Sequence, residues 1–361
     1  MAKHIDPYSS ELFSDYSKIM KDFGIEHFQS EMFPDLNRLM RRGVVFGGRD
    51  LKRISECILD KKPYYVLSGI MPTAQKIHLG TKMVVEQIRY FQEHGAETYI
   101  LVADMEAAAA RGIDLTDARK NALDFHIPAY IALGLDPKKT TFYFQSDNRE
   151  VLMLAYEFAQ KITLNEFKAV YGSADPGRIL SALTQVGDIL FPQLKKRMPG
   201  IIPVGIDQDP HIRLTRDVVA RTKSKYGFVP PSSIYHRYMP SLDGKQKMSK
   251  SRPDSFIELP EEIKSVEKKI KKAITGGRDT LQEHRRLGAD IEKDMVYELL
   301  KIHLIEDDAE LRAITEDYTA GRLLSGEVKQ LAIQKASEFM RHFENKINEA
   351  RKQKDLKFIR F

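Results

Sequence analysis

A chain of 361 residues that is 42% hydrophobic and 30% charged is long enough for a large folded unit plus a smaller one, and contains no run of eighteen apolar residues that would span a membrane. Its single cysteine, Cys57, excludes an intrachain disulfide and a multi-cysteine zinc knuckle, which suits a reducing compartment. The formal charge of +6 is modest, but Lys and Arg gather at 38–42, 264–272 and 351–360, a distribution that fits solvated helix faces or a polyanion such as RNA. The opening MAKHIDPYSS lacks the apolar core of a signal peptide, so a cytoplasmic protein without a membrane partner is expected.

Residues 1–60 read as a mostly helical N-terminal extension, broken by RRGVVFGGRD, where a short strand and two glycines precede Asp50 as a helix cap. From residue 61 the pattern alternates. YYVLSG (64–69) is a short apolar β-type run, and KMVVEQIRYFQEHG follows it with apolar residues at helical spacing and Gly95 as a stop. ETYILVAD (97–104) gives the next strand, 116–134 the next helix, and TTFYFQ (140–145) another strand. A helical insertion follows at about 150–185. GIIPVGIDQDPHIRLTRDVVAR then repeats the unit, with Asp209 expected as N-cap and Pro210 at the first helical position. This alternation predicts an α/β fold, a Rossmann-type parallel sheet over 61–252 with ligands at the C-terminal ends of its strands. After Pro253 the β signal fades, and 253–361 reads as a helical C-terminal domain. Its last helix, with Val328, Leu331, Ala332, Phe339, Phe343, Ile347 and Ala350 at helical spacing, could reach on the order of 40 Å.

Neither a Walker-type phosphate loop nor a GxGxxG fingerprint is present, so phosphate handling falls to other segments. PTAQKIHLG (72–80) places His78 at a helix N-terminus, where free N–H groups favour an anion, and Gly80 where a ligand could approach the backbone. By itself such a histidine is more often a structural cap. DGKQKMSKS (243–251) carries three lysines with a single acid, Asp243, among them, and its glycine and serines allow it to close over a polyphosphate. Alone, it would also fit a solvated linker.

The two segments together, HxG after the first strand and KMSKS some 170 residues later, closely resemble the paired signature of class I aminoacyl-tRNA synthetases. RRGVVFGGRD, SGIMPTAQKIHLG, VADMEA, IALGLDPKK, GIDQDPHIRLTRD and TGGRDTLQEHRRLGAD extend the resemblance to the archaeal and eukaryal tryptophanyl-tRNA synthetases, over roughly residues 40–290. The resemblance implies activation of tryptophan by ATP with Mg2+, transfer to tRNA(Trp), a homodimer, and an anticodon-binding role for the helical tail. His78, Lys247 and Lys250 would be catalytic. Pro72, Thr73, Gly80, Gly205, Asp207, Met248, Ser249 and Ser251 would join them around ATP. Leu67, Ser68, Gly69, Leu101, Glu106, Gln185, Asp188 and Gln208 would surround tryptophan, with Gln208 on the α-amino group, Glu106 and Gln185 at the polar end, and Asp104 nearby as either a ligand or a helix cap.

Two positions depart from the family pattern. The eukaryal enzymes place a tyrosine and a glutamine where this chain has Leu67 and Leu101, so Asp188, an aspartate position in bacterial tryptophanyl enzymes, is expected to accept the indole proton. Thr81 replaces the final histidine of HxGH. No protein-held metal site is expected. The rival readings are a tyrosyl-tRNA synthetase, which also has an aspartate at the Asp188 position, an HxGH-type nucleotidyltransferase, whose chains are much shorter, and a non-catalytic RNA-binding paralogue, whose lysine loop would be broken. The apolar residues between 152 and 171 exceed one helical face and mark the expected dimer contact. Deletion after about Ser325 is expected to spare amino-acid activation and abolish tRNA charging.

Overall fold

The computed structural model describes residues 16–245, 255–353 and 355–359. Its strands in chain order are β1 (Glu26–His27), β2 (Val45–Arg49), β3 (Tyr65–Ile70), β4 (Ile77–His78), β5 (Glu97–Val102), β6 (Thr140–Phe144), β7 (Gly200–Gly205), β8 (Ser232–His236), β9 (Glu258–Leu259) and β10 (Lys357–Phe358). Eight of them form one sheet in the order β1-β2-β8-β7-β3-β5-β6-β10, while β4 pairs with β9. Neighbours from β8 through β10 are parallel, and β2 and β1 close the other edge antiparallel. The Rossmann-type class expected from the sequence is thus present. Strands inside a parallel sheet are covered on both faces, and β3 accordingly buries Tyr65, Val66, Leu67 and Ser68 in succession rather than alternately. Chain order runs outward from β3 in both directions, to β5 and β6 on one side and to β7 and β8 on the other. This reversal puts a crevice over the C-terminal ends of β3 and β7.

The structure differs from the sequence reading at both ends of the chain. The segment before residue 61 contributes two strands as well as the helices Tyr16–Phe23 and Leu51–Leu59, and β2 pairs directly with β8, a strand that the sequence reading lacked. At the other end, the chain after the last helix returns to lay β10 beside β6, with Lys357 opposite Thr141 and Phe358 opposite Phe142. The last helix, Ser325–Ala350, spans about 39 Å at 1.5 Å per residue. It buries Val328, Ala332, Met340, Phe343 and Ile347 in the same hydrophobic core as Val66, Ile100 and Phe142 of the sheet. It is therefore no appendage: it shares its buried face with the core of the sheet, which argues against the expectation that its removal would spare amino-acid activation.

Two local differences have clear causes. The helix expected over 116–134 is Leu115–Asn121 and Ile127–Ala132 joined by a wide π turn at Ala122–His126. Pro128 removes the N–H that would bond the carbonyl of Asp124, and Arg351 donates to that carbonyl instead at 3.0 Å. Asp209 is the first residue of the helix Asp209–Arg221 rather than its cap. Its buried carboxylate accepts from Arg49 (2.8 and 3.1 Å), Arg213 (3.0 Å) and Tyr235 (2.5 Å), so no lone pair is turned to capping. Asp50 does occupy the cap position of Leu51–Leu59, but its carboxylate bonds Arg216 at 2.7 Å rather than the helix.

The insertion holds its own small core. Helices Arg149–Phe158, Leu164–Tyr171 and Pro176–Leu190 pack Leu154, Phe158, Phe167, Leu183 and Val186 together, and a Thr163–Glu166 capping box starts the second.

Candidate active site

Over the ends of β3, β7 and β8 lies a cleft of ≈ 400 Å3, lined among others by Ser68, Gly69, His78, Gly80, Thr81, Gly205, Asp207, Gln208 and His236. His78 ends β4 and occupies the N-cap position of the helix Leu79–Glu93, where its Nδ1 accepts from the backbone N–H of Gly80 at 3.0 Å. An accepting Nδ1 leaves the ring proton of the neutral imidazole on Nε2, which is then a hydrogen-bond donor. A Cβ on Gly80 would lie 2.8 Å from His78 Cε1 and 2.9 Å from its Nδ1. The space a side chain would need at this glycine is taken by the His78 ring, while Gly80 itself lines the cleft. Gly205 is confined in the same way, its Cβ position lying 2.6 Å from Asp207 Oδ1 and 3.0 Å from Tyr238 Cε1.

β4 and β9 bring the His78 segment beside the chain that follows the lysine segment. His78 pairs with Glu258 and Ile77 with Leu259, and the backbone N–H of Leu242 donates to Ser255 at 2.8 Å. The residues flanking the lysine segment are therefore tied to one another and to the His78 strand. Lys247, Met248, Ser249, Lys250 and Ser251 themselves lie outside the described residues. Pro72 and Thr73 sit in the turn after β3 and do not line the cleft.

A second cavity, of ≈ 130 Å3, shares Ser68, Gly69, Val204 and Gln208 with the cleft. Every residue expected around tryptophan lines it: Leu67, Ser68, Gly69, Leu101, Glu106, Gln185, Asp188 and Gln208. Leu67, Leu101, Ile189, Ile202 and Ile212 form an apolar slot. At one end Glu106 Oε1 accepts from Ser181 (2.7 Å) and Gln185 (3.2 Å). At another, Asp188, 1% exposed, receives Tyr143 O–H at 2.9 Å on Oδ1 and Gln145 Nε2–H at 2.7 Å on Oδ2. Burial pushes the Asp188 carboxyl up to about 7, with the two donors pulling it partly back.

The comparisons with known proteins agree with this arrangement. Residues 59–341 match the family described as tRNA synthetases class I (W and Y). The chain belongs to this family. The tryptophan–tRNA ligase of Hyperthermus butylicus is 41% identical to this synthetase over 96% of its chain and 95% of the relative's own length. That of Methanocaldococcus jannaschii is 40% identical, over 96% of each. The crystal structure of tryptophanyl-tRNA synthetase from Aeropyrum pernix matches with a TM-score of 0.88 at 39% identity, covering 94% of this chain and 95% of that one. These relatives carry the tryptophan name, and the tyrosyl alternative is not favoured.

Asp104 is not a lining residue of either cavity in this synthetase. Wholly buried, it accepts from the backbone N–H groups of Met105 (3.0 Å) and Ser146 (3.1 Å), from Ser146 Oγ (2.5 Å) and from Arg119 (3.4 Å). It thereby joins the ends of β5 and β6, neither ligand nor simple cap. The sequence reading missed Gln145, His211 and His236. Gln145 ends the TTFYFQ run, so the rule that ligands sit at strand ends pointed to it. His211 lines the smaller cavity, and its Nδ1 lies 2.8 Å from Tyr171 Oη. His236 ends β8 beside Gly205, and no local signal marked that strand. Burial pushes both histidines down to about 4, so both are neutral at pH 7.

Proposed function

We propose that this synthetase is a tryptophan–tRNA ligase. The tryptophan carboxylate attacks the α-phosphorus of ATP, the bond to pyrophosphate breaks, and the tryptophanyl-adenylate then passes its acyl group to the terminal ribose of tRNA(Trp) with loss of AMP. The observation that carries the reading is the continuity of the two cavities at the strand reversal: an apolar slot opens through Ser68, Gly69, Val204 and Gln208 into the cleft that holds His78. That shape fits an aromatic amino acid with its carboxylate pointing at a nucleotide.

A carboxylate is already ionised at neutral pH, so the first step needs no general base, only in-line positioning and stabilisation of the charge gathering on the leaving pyrophosphate. Gly205 and Asp207 hold the ribose, and Thr81 faces the nucleotide where related enzymes have a histidine. His78 directs Nε2–H at the phosphates, and Lys247 and Lys250, flanked by Met248, Ser249 and Ser251, close on the β- and γ-phosphates from the other side. Pro72 and Thr73 shape the turn beneath. Mg2+ enters with the triphosphate as part of the substrate. Glu106, Gln185 and Gln208 receive the α-ammonium group, which supplies the cation that a partly buried acid requires.

The layout is an N-terminal extension over 1–60, a catalytic unit over 61–252 with the helical insertion at about 150–185, and an anticodon-binding unit over 253–361, whose exposed Lys264, Lys268, Arg341 and Lys346 suit phosphate contacts. The protein works in the cytoplasm as a homodimer. Exposed Met153 and Tyr156 line a groove with Leu194 and Tyr226, the insertion exposes Leu164 and Leu180 as well, and this apolar surface is the proposed two-fold contact. Pyrophosphate exchange into ATP with each of the twenty amino acids tests the reading. Exchange driven by tryptophan is expected, and exchange driven by tyrosine instead would overturn it.

A further inference from the structure

The sequence pointed to Asp188 as the group that reads the indole N–H. The hydrogen bonding around it points elsewhere. Both Asp188 oxygens already receive a buried donor, Tyr143 O–H on one and Gln145 Nε2–H on the other. Gln145 itself, 1% exposed at the C-terminal end of β6, lines the smaller cavity together with Leu67, Leu101 and Asp188. Its Oε1 is buried and has no hydrogen-bond partner among the described residues. No other side-chain atom lining that cavity is a buried polar atom without a partner.

The orientation of the amide follows from chemistry. Once Asp188 is ionised, above about pH 7, its carboxylate only accepts, so the amide nitrogen faces Asp188, as the 2.7 Å bond has it, and the amide oxygen faces away. A buried carbonyl oxygen without a donor is costly and uncommon in folded proteins, and it calls for a ligand that brings one. The indole ring offers one N–H and no acceptor. The apolar walls, Leu67, Leu101, Ile189 and Ile202, present nothing that an indole N–H could bond; of the polar lining, Glu106 and Gln185 bond each other, His211 Nδ1 is engaged by Tyr171, and Ser68 and Gln208 lie where the cavity joins the cleft.

We infer that Gln145 is the specificity-determining residue of the amino-acid cavity, its Oε1 accepting the indole N–H of tryptophan while Asp188 holds the amide in the accepting orientation. The inference rests on the tryptophan reading above. It assigns Asp188 a positioning role through its bonds to Gln145 and Tyr143, and explains how the chain reads the indole with leucines at 67 and 101.

The test compares tryptophan with 3-(benzothiophen-3-yl)alanine, which keeps the bicyclic shape and replaces N–H by sulfur. In the wild type, kcat/KM in pyrophosphate exchange should favour tryptophan by at least about 10-fold, since the analogue leaves Oε1 unpaired. In Gln145→Met, which preserves length and apolar volume, the preference should fall to within about three-fold of unity, with KM for ATP unchanged. A merely structural defect would lower both amino acids alike and leave their ratio intact. Retention of the wild-type ratio in Gln145→Met would overturn the inference and return the contact to Asp188. A crystal structure of the wild-type chain with tryptophan bound gives the same decision without a variant: indole Nε1 within about 3.2 Å of Gln145 Oε1 supports it, and Nε1 bonded to Asp188 with Oε1 still unpaired overturns it. A wild type that exchanges no pyrophosphate with tryptophan would instead defeat the functional reading itself.

Discussion

Gly80→Ala separates two explanations of one glycine. The added Cβ would meet His78 Cε1 at 2.8 Å and Nδ1 at 2.9 Å, closer than real Cβ contacts come, and, its chain neighbours and its own helix's backbone aside, no other described residue lies within 4 Å of it. The ring must swing away. It then loses the 3.0 Å bond from the Gly80 N–H that caps the helix Leu79–Glu93, a loss of about 1 kcal/mol in stability, and withdraws Nε2–H from the cleft. If Nε2–H stabilises charge developing on the phosphates, kcat for tryptophan-dependent pyrophosphate exchange should drop by about 100- to 1,000-fold, roughly 3–4 kcal/mol, as it should for His78→Ala. The decisive sample is the double variant. With the imidazole already absent, the alanine methyl group meets open space, so Gly80→Ala in the His78→Ala background should change kcat by no more than about 0.5 kcal/mol. A further ten-fold loss there would show that the nucleotide needs the bare backbone of Gly80, as its place in the motif suggests, and would refute the steric argument.

Lys250→Ala should lower kcat for adenylate formation by about 100- to 1,000-fold with little change in KM for tryptophan, because its ammonium group acts on the leaving pyrophosphate; a kcat within a few-fold of wild type in the same exchange assay would make the segment a linker. The native state holds the Asp188 proton up to about pH 7, whereas the unfolded chain releases it near 4, so this carboxyl contributes stability that declines as pH rises between those values. Wild type should accordingly lose on the order of 3 kcal/mol relative to Asp188→Asn between pH 5 and pH 8 in urea unfolding, and parallel curves would contradict the burial argument. Truncation before Ser325 strips Val328, Ala332, Met340, Phe343 and Ile347 from the main core, so amino-acid activation and tRNA charging should fail together; a truncated chain that still activates tryptophan would show that this helix is separable. Tyr156→Glu, at a side chain that is 79% exposed, should convert a dimer to a monomer in sedimentation at micromolar concentration, and an unchanged mass would remove the insertion from the interface.

Much of the fold was legible in the chain. β3, β5, β6 and β7 show as short apolar runs ending at polar or glycine residues, and the helices Leu79–Glu93 and Ser325–Ala350 show as 3.6-residue periodicity, because side chains a few positions apart decide these elements. The two motifs and the lining of the amino-acid cavity, from Leu67 to Gln208, were equally legible, since they sit where strands end and helices begin. β8 and β10 were not: their local sequence carries a weak strand signal, and neighbours far away in sequence stabilise them, β2 and β7 for one and β6 for the other.

Partner choice was the other thing that tertiary structure alone decided. Asp209 reads as a helix cap until Arg49, 160 residues earlier, arrives at 2.8 Å, and nothing local shows that the His78 ring occupies the space a side chain at Gly80 would need. Asp188 reads as an acceptor open to the substrate, and only the fold shows that Gln145, 43 positions away, donates to it and keeps a buried Oε1 with no partner among the described residues. A sequence determines what a side chain is able to bond and which turn of chain carries it. Which of several competing donors reaches a buried acceptor depends on strand order and helix packing, and each lone pair so occupied is withdrawn from the substrate.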